Sequence, residues 1–248
     1  MSAAAAEERR SPGWRGRIGI VQPSPGVMLE YEWPRWLPDD VLFPVARVAM
    51  RDATAVGYRG VVEQAPAAAH ELAKAGAGVV AFACTIGSVF EGAGPEAELV
   101  ERMTAASGLP ALSLGSTSLA ALHAVGASRI AVLTPYSDAV NGWVGGYLTE
   151  CGFAVEGFIS TPVDIVTVGN LPSAEIAEIA VQGLARLTGA DALWIPCTAI
   201  RTLDAIEAIE GRSGLPAISA SQALLWRSLA FLDLAGAGRP CGRLFQTT

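Results

Sequence analysis

Gly78–Ser88 reads GVVAFACTIGS, and a little over a hundred residues later Asp191–Arg201 reads DALWIPCTAIR. Each is a short apolar run with β-branched or aromatic side chains that ends on Cys-Thr and enters a helix-like segment. Apolar runs of this length are the pattern of strands buried on both faces of a parallel sheet. A residue at the exit of such a strand stands at the carboxyl edge of the sheet, where α/β folds place their chemistry. A single cysteine there says little, because a free cysteine behaves as a small buried hydrophobe. Two in matching positions ask for a common explanation.

Upstream, Arg17–Val21 (RIGIV) predicts a strand closed by the turn-forming Gln22–Gly26 (QPSPG). Val27–Met50, rich in proline and aromatic residues, predicts a loop with a short helix or strand over the same rim as Cys84. Helical apolar spacing runs over Gly60–Gly76, Pro95–Ser107 and Ser116–Val125, and glycines at or just past the ends read as C-caps. Leu109–Leu114 reads as a strand. The pattern then restarts. Arg129–Leu133 (RIAVL) matches Arg17–Val21, and Gly214–Ser219 (GLPAIS) matches Gly108–Ser113 (GLPALS). Between them lie a helix over Ala139–Cys151, a strand over Ala154–Ser160, a helix over Ser173–Leu187, the Cys197 strand and a helix over Thr202–Glu210. Gln222–Leu232 closes the chain as a last helix. The opening strand, the Cys-Thr strand and the GLPA strand thus recur in one order, about 110 residues apart. Strands alternating with helices imply parallel sheets, and a repeat of this length implies a duplicated domain rather than a solenoid. The expected architecture is α/β, with two pseudo-symmetric parallel-sheet domains and the active site in the cleft between them. The expected division is a flexible tail over residues 1–16, an N-terminal domain over 17–115 completed by 221–248, and a C-terminal domain over 116–220.

Hydrophobic residues make up 51% of the 248 and charged ones 17%, which suits a well-filled core rather than a disordered chain. A net charge of −7 with no basic cluster argues against nucleic acid as a partner. No apolar run approaches the roughly 18 residues needed to span a bilayer, and no secretory leader is expected, so a cytoplasmic protein is. The four cysteines then read as reduced thiols, and the two histidines, His70 and His123, stand apart from any metal-like spacing. No metal or other cofactor is expected. Apolar helices in both halves lead to the expectation of a homodimer.

Paired by the two-fold repeat, Cys84 and Cys197 face each other. Helix N-termini after them would stabilise thiolate and lower the pKa from its usual value of about 8.5. Backbone N–H groups there, with Thr85, Ser88 and Thr198, would cradle a carboxylate. Two opposed acid/base groups suit proton removal from one face and return on the other, and a thiolate can also add to a double bond. Tyr136, at the exit of Arg129–Leu133, would donate to an oxyanion. Cys151 and Cys241 have no echo and read as packing residues, and His70 and His123 as surface or satisfied side chains. Arg201 reads as an exposed helix charge.

Several segments together resemble the aspartate/glutamate racemase superfamily, in the branch of maleate cis-trans isomerase and arylmalonate decarboxylase. They are Ile18–Glu30 (IGIVQPSPGVMLE), Ala83–Phe90 (ACTIGSVF), Ser116-Thr117, Ala131–Tyr136 (AVLTPY) with Asp138–Asn141, Pro196–Ile206 (PCTAIRTLDAI) and Gly242–Phe245 (GRLF). The resemblance implies two pseudo-symmetric α/β domains with the site between them and no cofactor or metal. It adds Ser116 and Thr117 to Thr85, Tyr136 and Thr198 as substrate-binding residues. Arylmalonate decarboxylase carries Gly where this chain has Cys84 and keeps the thiol matching Cys197. Maleate isomerase has both, the first adding to the double bond and the second acting as acid, but has Asn where Gly26 stands here. The expected function is therefore a cofactor-independent two-cysteine isomerase or racemase acting on a small carboxylate or dicarboxylate. A decarboxylase passing through an enediolate is the alternative, and a non-catalytic carboxylate binder of the same fold the second alternative.

Overall fold

A computed structural model describes residues 12–247. Residues 1–11, most of the expected tail, lie outside the described residues. Residues 12–15 form a turn whose Pro12 carbonyl accepts from Arg17 at 3.0 Å, and Gly16 already opens the first strand.

The first half runs β1 (Gly16–Pro23), α1 (Met28–Glu32), a 3-10 turn over Trp33–Arg35, β2 (Val41–Leu42) and β3 (Val45–Val48). It continues through α2 (Ala55–Lys74), β4 (Val79–Phe82), α3 (Thr85–Val89), α4 (Ala93–Ser107) and β5 (Ala111–Ser113). The second half runs α5 (Leu114–Ala124), β6 (Arg129–Thr134), α6 (Asp138–Glu150), β7 (Ala154–Ser160) and α7 (Ser173–Leu184). It closes with β8 (Ala192–Ile195), α8 (Ile206–Ser213), β9 (Ala217–Ser219) and α9 (Ala220–Phe231). Every strand pair is parallel, in the orders β2-β1-β4-β5, with β3 also on β1, and β7-β6-β8-β9. β1, β4 and β5 thus correspond to β6, β8 and β9, as the repeat predicts. Among the described residues no helix is long and apolar enough to cross a membrane.

The repeated hexapeptide explains its own recurrence. Gly108 and Gly214 end α4 and α8 in the left-handed region, at φ of 72° and 75°, which favours glycine. The following strand is buried at both β5 and β9. Its last residue is the N-cap of the next helix: Ser113 accepts from the Ser116 N–H at 3.2 Å, and Ser219 from the Gln222 N–H at 3.1 Å. Gln222 answers from its side chain to the Ser219 N–H, completing a capping box. One hexapeptide therefore stops a helix, crosses the sheet and starts a helix, twice. The helices it starts, α5 and α9, pack on each other and so bring the two sheets together.

The boundaries differ from expectation in two informative places. α2 starts at Ala55 rather than Gly60, because Thr54 caps it by accepting from the Gly57 N–H at 3.2 Å. α8 starts at Ile206 rather than Thr202; ahead of it the N–H groups of Thr202 and Leu203 donate to the buried Glu32 carboxylate, at 2.6 and 2.8 Å.

Candidate active site

The carboxyl ends of β1, β3, β4, β6 and β8 converge on one cavity of about 710 Å³. Ala83 and Cys84 follow β4, and Cys197 and Thr198 follow β8; Tyr136 lies just beyond β6. All of these line the cavity with Thr85. Five of the seven predicted site residues are thereby brought together. Ser116 and Thr117 are not. Neither lines the cavity. Ser116 donates its N–H to Glu96 at 2.7 Å, and Thr117, buried in α5, donates its hydroxyl to the Ser113 carbonyl at 2.7 Å. Their polar atoms secure the start of α5.

Cys84 is the N-cap of α3 and accepts on sulfur from the Gly87 N–H at 3.4 Å. Position 87 has to be glycine for this approach, since a Cβ there would stand 3.0 Å from the sulfur and 3.1 Å from the Phe82 ring. Cys197 is followed by a turn rather than the expected helix, and its sulfur accepts from the Ala199 N–H at 3.4 Å. The Tyr136 hydroxyl also donates to Cys197. Thr85 donates its hydroxyl to the Pro196 carbonyl, tying the residue after one cysteine to the residue before the other.

Both thiols are buried, with 7% and 3% of their surface exposed, and burial decides their acidity. It pushes Cys84 up to about 12, offset in part by the Gly87 N–H, and the neighbouring Cys197 adds a smaller upward push. Burial also pushes Cys197 up, against the Tyr136 hydroxyl and two backbone N–H groups. The expected lowering by helix N-termini is therefore overturned: desolvation outweighs one N–H dipole. Burial raises Tyr136 too, and Cys197 beside it adds to the rise.

Tyr58 is a lining residue that sequence reasoning missed. It is buried in the first turn of α2, its ring braced by Phe90 and Trp143 at centroid distances of 6.0 and 6.3 Å. Its hydroxyl is pushed up by burial and by both cysteines. Its spacing from Val61, Ala65, Ala69 and Leu72, all buried on the same helix, was the available signal.

A second connection runs behind the cavity. Glu32, 1% exposed, accepts from Thr202 and Leu203 and from the Ser221 hydroxyl at 3.2 Å. It fastens the segment after Cys197 to α1 and α9. Burial raises its carboxyl to about 7. The remaining candidates stand apart. Cys241 is buried against the Leu203 carbonyl, Cys151 is half-buried at the end of α6, and neither lines the cavity. His70 meets the Ala106 carbonyl at 3.0 Å, His123 lies on the Phe153 ring, and Arg201, expected as an exposed helix charge, is instead half-buried between β8 and α8, over the Tyr31 ring.

Two thiols of unequal surroundings and a tyrosine hydroxyl over one apolar-walled cavity can exchange protons with a carbon, or add to it, at a carboxylate-bearing substrate. Comparison with known proteins agrees with that chemistry. Arylmalonate decarboxylase of Bordetella bronchiseptica is 30% identical over 231 residues, 92% of this chain and 96% of that one. Maleate isomerase of Nocardia farcinica is 30% identical over 242 residues, 93% of this chain and 95% of its own. A solved structure of Nocardia farcinica maleate cis-trans isomerase, a cysteine-to-serine mutant with a covalently bound succinylcysteine intermediate, superposes with a TM-score of 0.80. It is 27% identical and covers 94% of this chain and 99% of that one. The family model described as arylmalonate decarboxylase matches residues 18–245, and on that match the chain belongs to the arylmalonate decarboxylase family.

Proposed function

We propose that this chain is a cofactor-independent two-cysteine isomerase of the maleate cis-trans isomerase kind, acting on a small carboxylate or dicarboxylate. The observation that carries this reading is that Cys84 and Cys197 line one cavity from equivalent strand ends, each with a backbone N–H on its sulfur. The units that hold them are residues 17–115 completed by 221–248, and 116–220.

In the reaction, the near carboxylate of a cis-alkenoate sits at the Thr85 backbone N–H, Tyr136 and Thr198, the Thr85 hydroxyl being held by the Pro196 carbonyl. Cys84 first loses its proton to solvent; its sulfur then donates a pair to form a C–S bond, and the π pair of the double bond moves into the carboxylate as an enediolate. Cys197 gives its proton to the carbon beside that carboxylate. After rotation about what is now a single bond, Cys197 takes a proton back and the C–S pair leaves with sulfur, restoring the alkene as the trans isomer. Tyr136 explains how the proton comes to rest on Cys197. In the free site its hydroxyl offsets part of the burial that holds the proton on Cys197; a substrate carboxylate that takes that hydroxyl removes the offset and strengthens Cys197's hold on its proton, the state in which it serves as the acid. The covalent succinylcysteine of the Nocardia farcinica enzyme supports the addition route.

Fumarate formation from maleate, followed by ultraviolet absorbance, is the test. Cys84→Ser and Cys197→Ser are expected to lower turnover by about a thousandfold or more, and Cys151→Ser to leave it intact. Full activity in either of the first two would end the mechanism. A decarboxylase reading draws on the apolar wall of Met50, Ile86, Ile165 and Val166 and on the Bordetella bronchiseptica relative. Release of carbon dioxide from phenylmalonate, without turnover of maleate, would put that reading first.

A further inference from the structure

Of the side chains that line the cavity, one is basic: Arg51, on the loop between β3 and α2. Arg47 and Arg59, the cations that flank this loop in the sequence, are occupied. Arg47 is paired with Glu30 and also donates to the Ser24 and Gly26 carbonyls, and Arg59 is paired with Glu91 at 2.6 Å. Arg51 has no hydrogen bond or ion pair to any of the described residues, and its side chain is exposed at the cavity wall. The cavity's one acidic side chain, the adjacent Asp52, accepts instead from the Thr54 N–H and hydroxyl in a cap of α2.

The backbone on both sides of Arg51 is held in place. Ala49 exchanges two hydrogen bonds of 3.0 Å with Gln64, and the Met50 N–H donates to Ser24 at 3.3 Å. On the far side, Gly57 packs so close that a Cβ there would stand 2.2 Å from the Asp52 carbonyl. An unpaired guanidinium is thus carried on a pinned stretch of backbone at the rim of the cavity that holds the two thiols. A guanidinium in that position recognises carboxylate.

We infer that Arg51 is the counter-ion for a second carboxylate, so that the substrate is a dicarboxylate whose far carboxylate is held throughout turnover. This rests on the isomerase reading for the fate of the near carboxylate, and it narrows the substrate class of that site. It also bears on the choice of reaction. Decarboxylation breaks the bond to a carboxylate whose charge disappears as carbon dioxide forms, so a cation paired with that group stabilises the ground state more than the transition state. Thiol addition and elimination leave the far carboxylate charged from start to finish, and the same cation then costs nothing in rate.

The experiment uses the full-length protein and two four-carbon acids, succinate and butyrate, which differ by one carboxylate. The rate of cysteine alkylation by iodoacetamide at about pH 9 is measured while each acid is titrated in. Succinate is expected to protect at a concentration lower than butyrate by about 10–100-fold, the scale of one charged hydrogen-bonded contact. Arg51→Gln should bring succinate to the butyrate value, and Arg51→Lys should restore part of the difference. Equal protection by the two acids, protection by neither, or a succinate preference that survives Arg51→Gln would each overturn the inference. With maleate as substrate, Arg51→Gln should raise KM by a similar factor and change kcat little. A succinate preference carried by Arg51 in a protein that does not turn over maleate would leave the inference standing and remove the isomerase assignment.

Discussion

Cys84 and Cys197 answer each other in the sequence, and their surroundings distinguish them. Cys84 has one backbone N–H on its sulfur, whereas Cys197 has the Tyr136 hydroxyl as well. The pairing was legible from the repeat, since both follow an apolar strand and both precede Thr. Their acidity was not, because the sequence reports a strand exit but not how deeply it is covered. The high pKa has a measurable consequence. With Cys84 near 12, alkylation of its peptide in the free protein should rise about tenfold per pH unit from neutrality to about pH 11. Mass spectrometry of the labelled peptide would show this, and a plateau near pH 9 would contradict it. Ser116 and Thr117 mark the opposite limit. Hydroxyls placed by family resemblance at the site are both used by this chain on Ser113, and no local pattern distinguishes the two uses.

The elements were readable wherever a cap or a stop is written in the chain. Gly108 with Ser113, and Gly214 with Ser219, delimit two strands and four helix ends. The segment from Thr202 to Ala205 was not readable, because the carboxylate that its N–H groups meet, Glu32, is distant in sequence. That carboxyl makes a prediction about stability. Its folded pKa, about 7, lies above the ordinary carboxyl value, so the folded state binds the proton more tightly than the unfolded chain does. The contribution is fully present below about pH 4.5 and is lost as pH rises through 7. Urea unfolding across that window should show wild-type stability falling with pH relative to Glu32→Gln, whose side chain does not titrate. Glu32→Ala, which strands two backbone N–H groups, should cost about 3 kcal/mol at the acid end of the window and less as pH rises through 7.

At the scale of the whole molecule, duplication was visible because it repeats punctuation as well as strands. How the halves meet was not visible, since α5 and α9 carry no mark in their sequence that they face each other. Each of the two core clusters draws buried residues from both sheets: Ile20 and Ala81 share one with Leu133 and Ile195, and Val21 and Phe82 share the other with Val132 and Trp194. Neither half therefore has a core of its own to keep. Thermal unfolding is expected as a single transition with matching calorimetric and van't Hoff enthalpies, and two separable transitions would refute it.

The Thr85 hydroxyl on the Pro196 carbonyl gives that union a mechanical meaning. It is a strut between the very peptides that carry the two sulfurs. Rocking one half against the other would have to break it before the thiols could part, a cost of about 1 kcal/mol that biases their spacing toward one value. Traffic in and out of the cavity is then left to its other outer loops, such as that at Ile165 and Val166, because Ser24 to Gly26 is itself bonded to Arg47 and to the Met50 N–H. An enzyme built this way would owe its pace of product release to those loops while its reacting groups keep near one spacing.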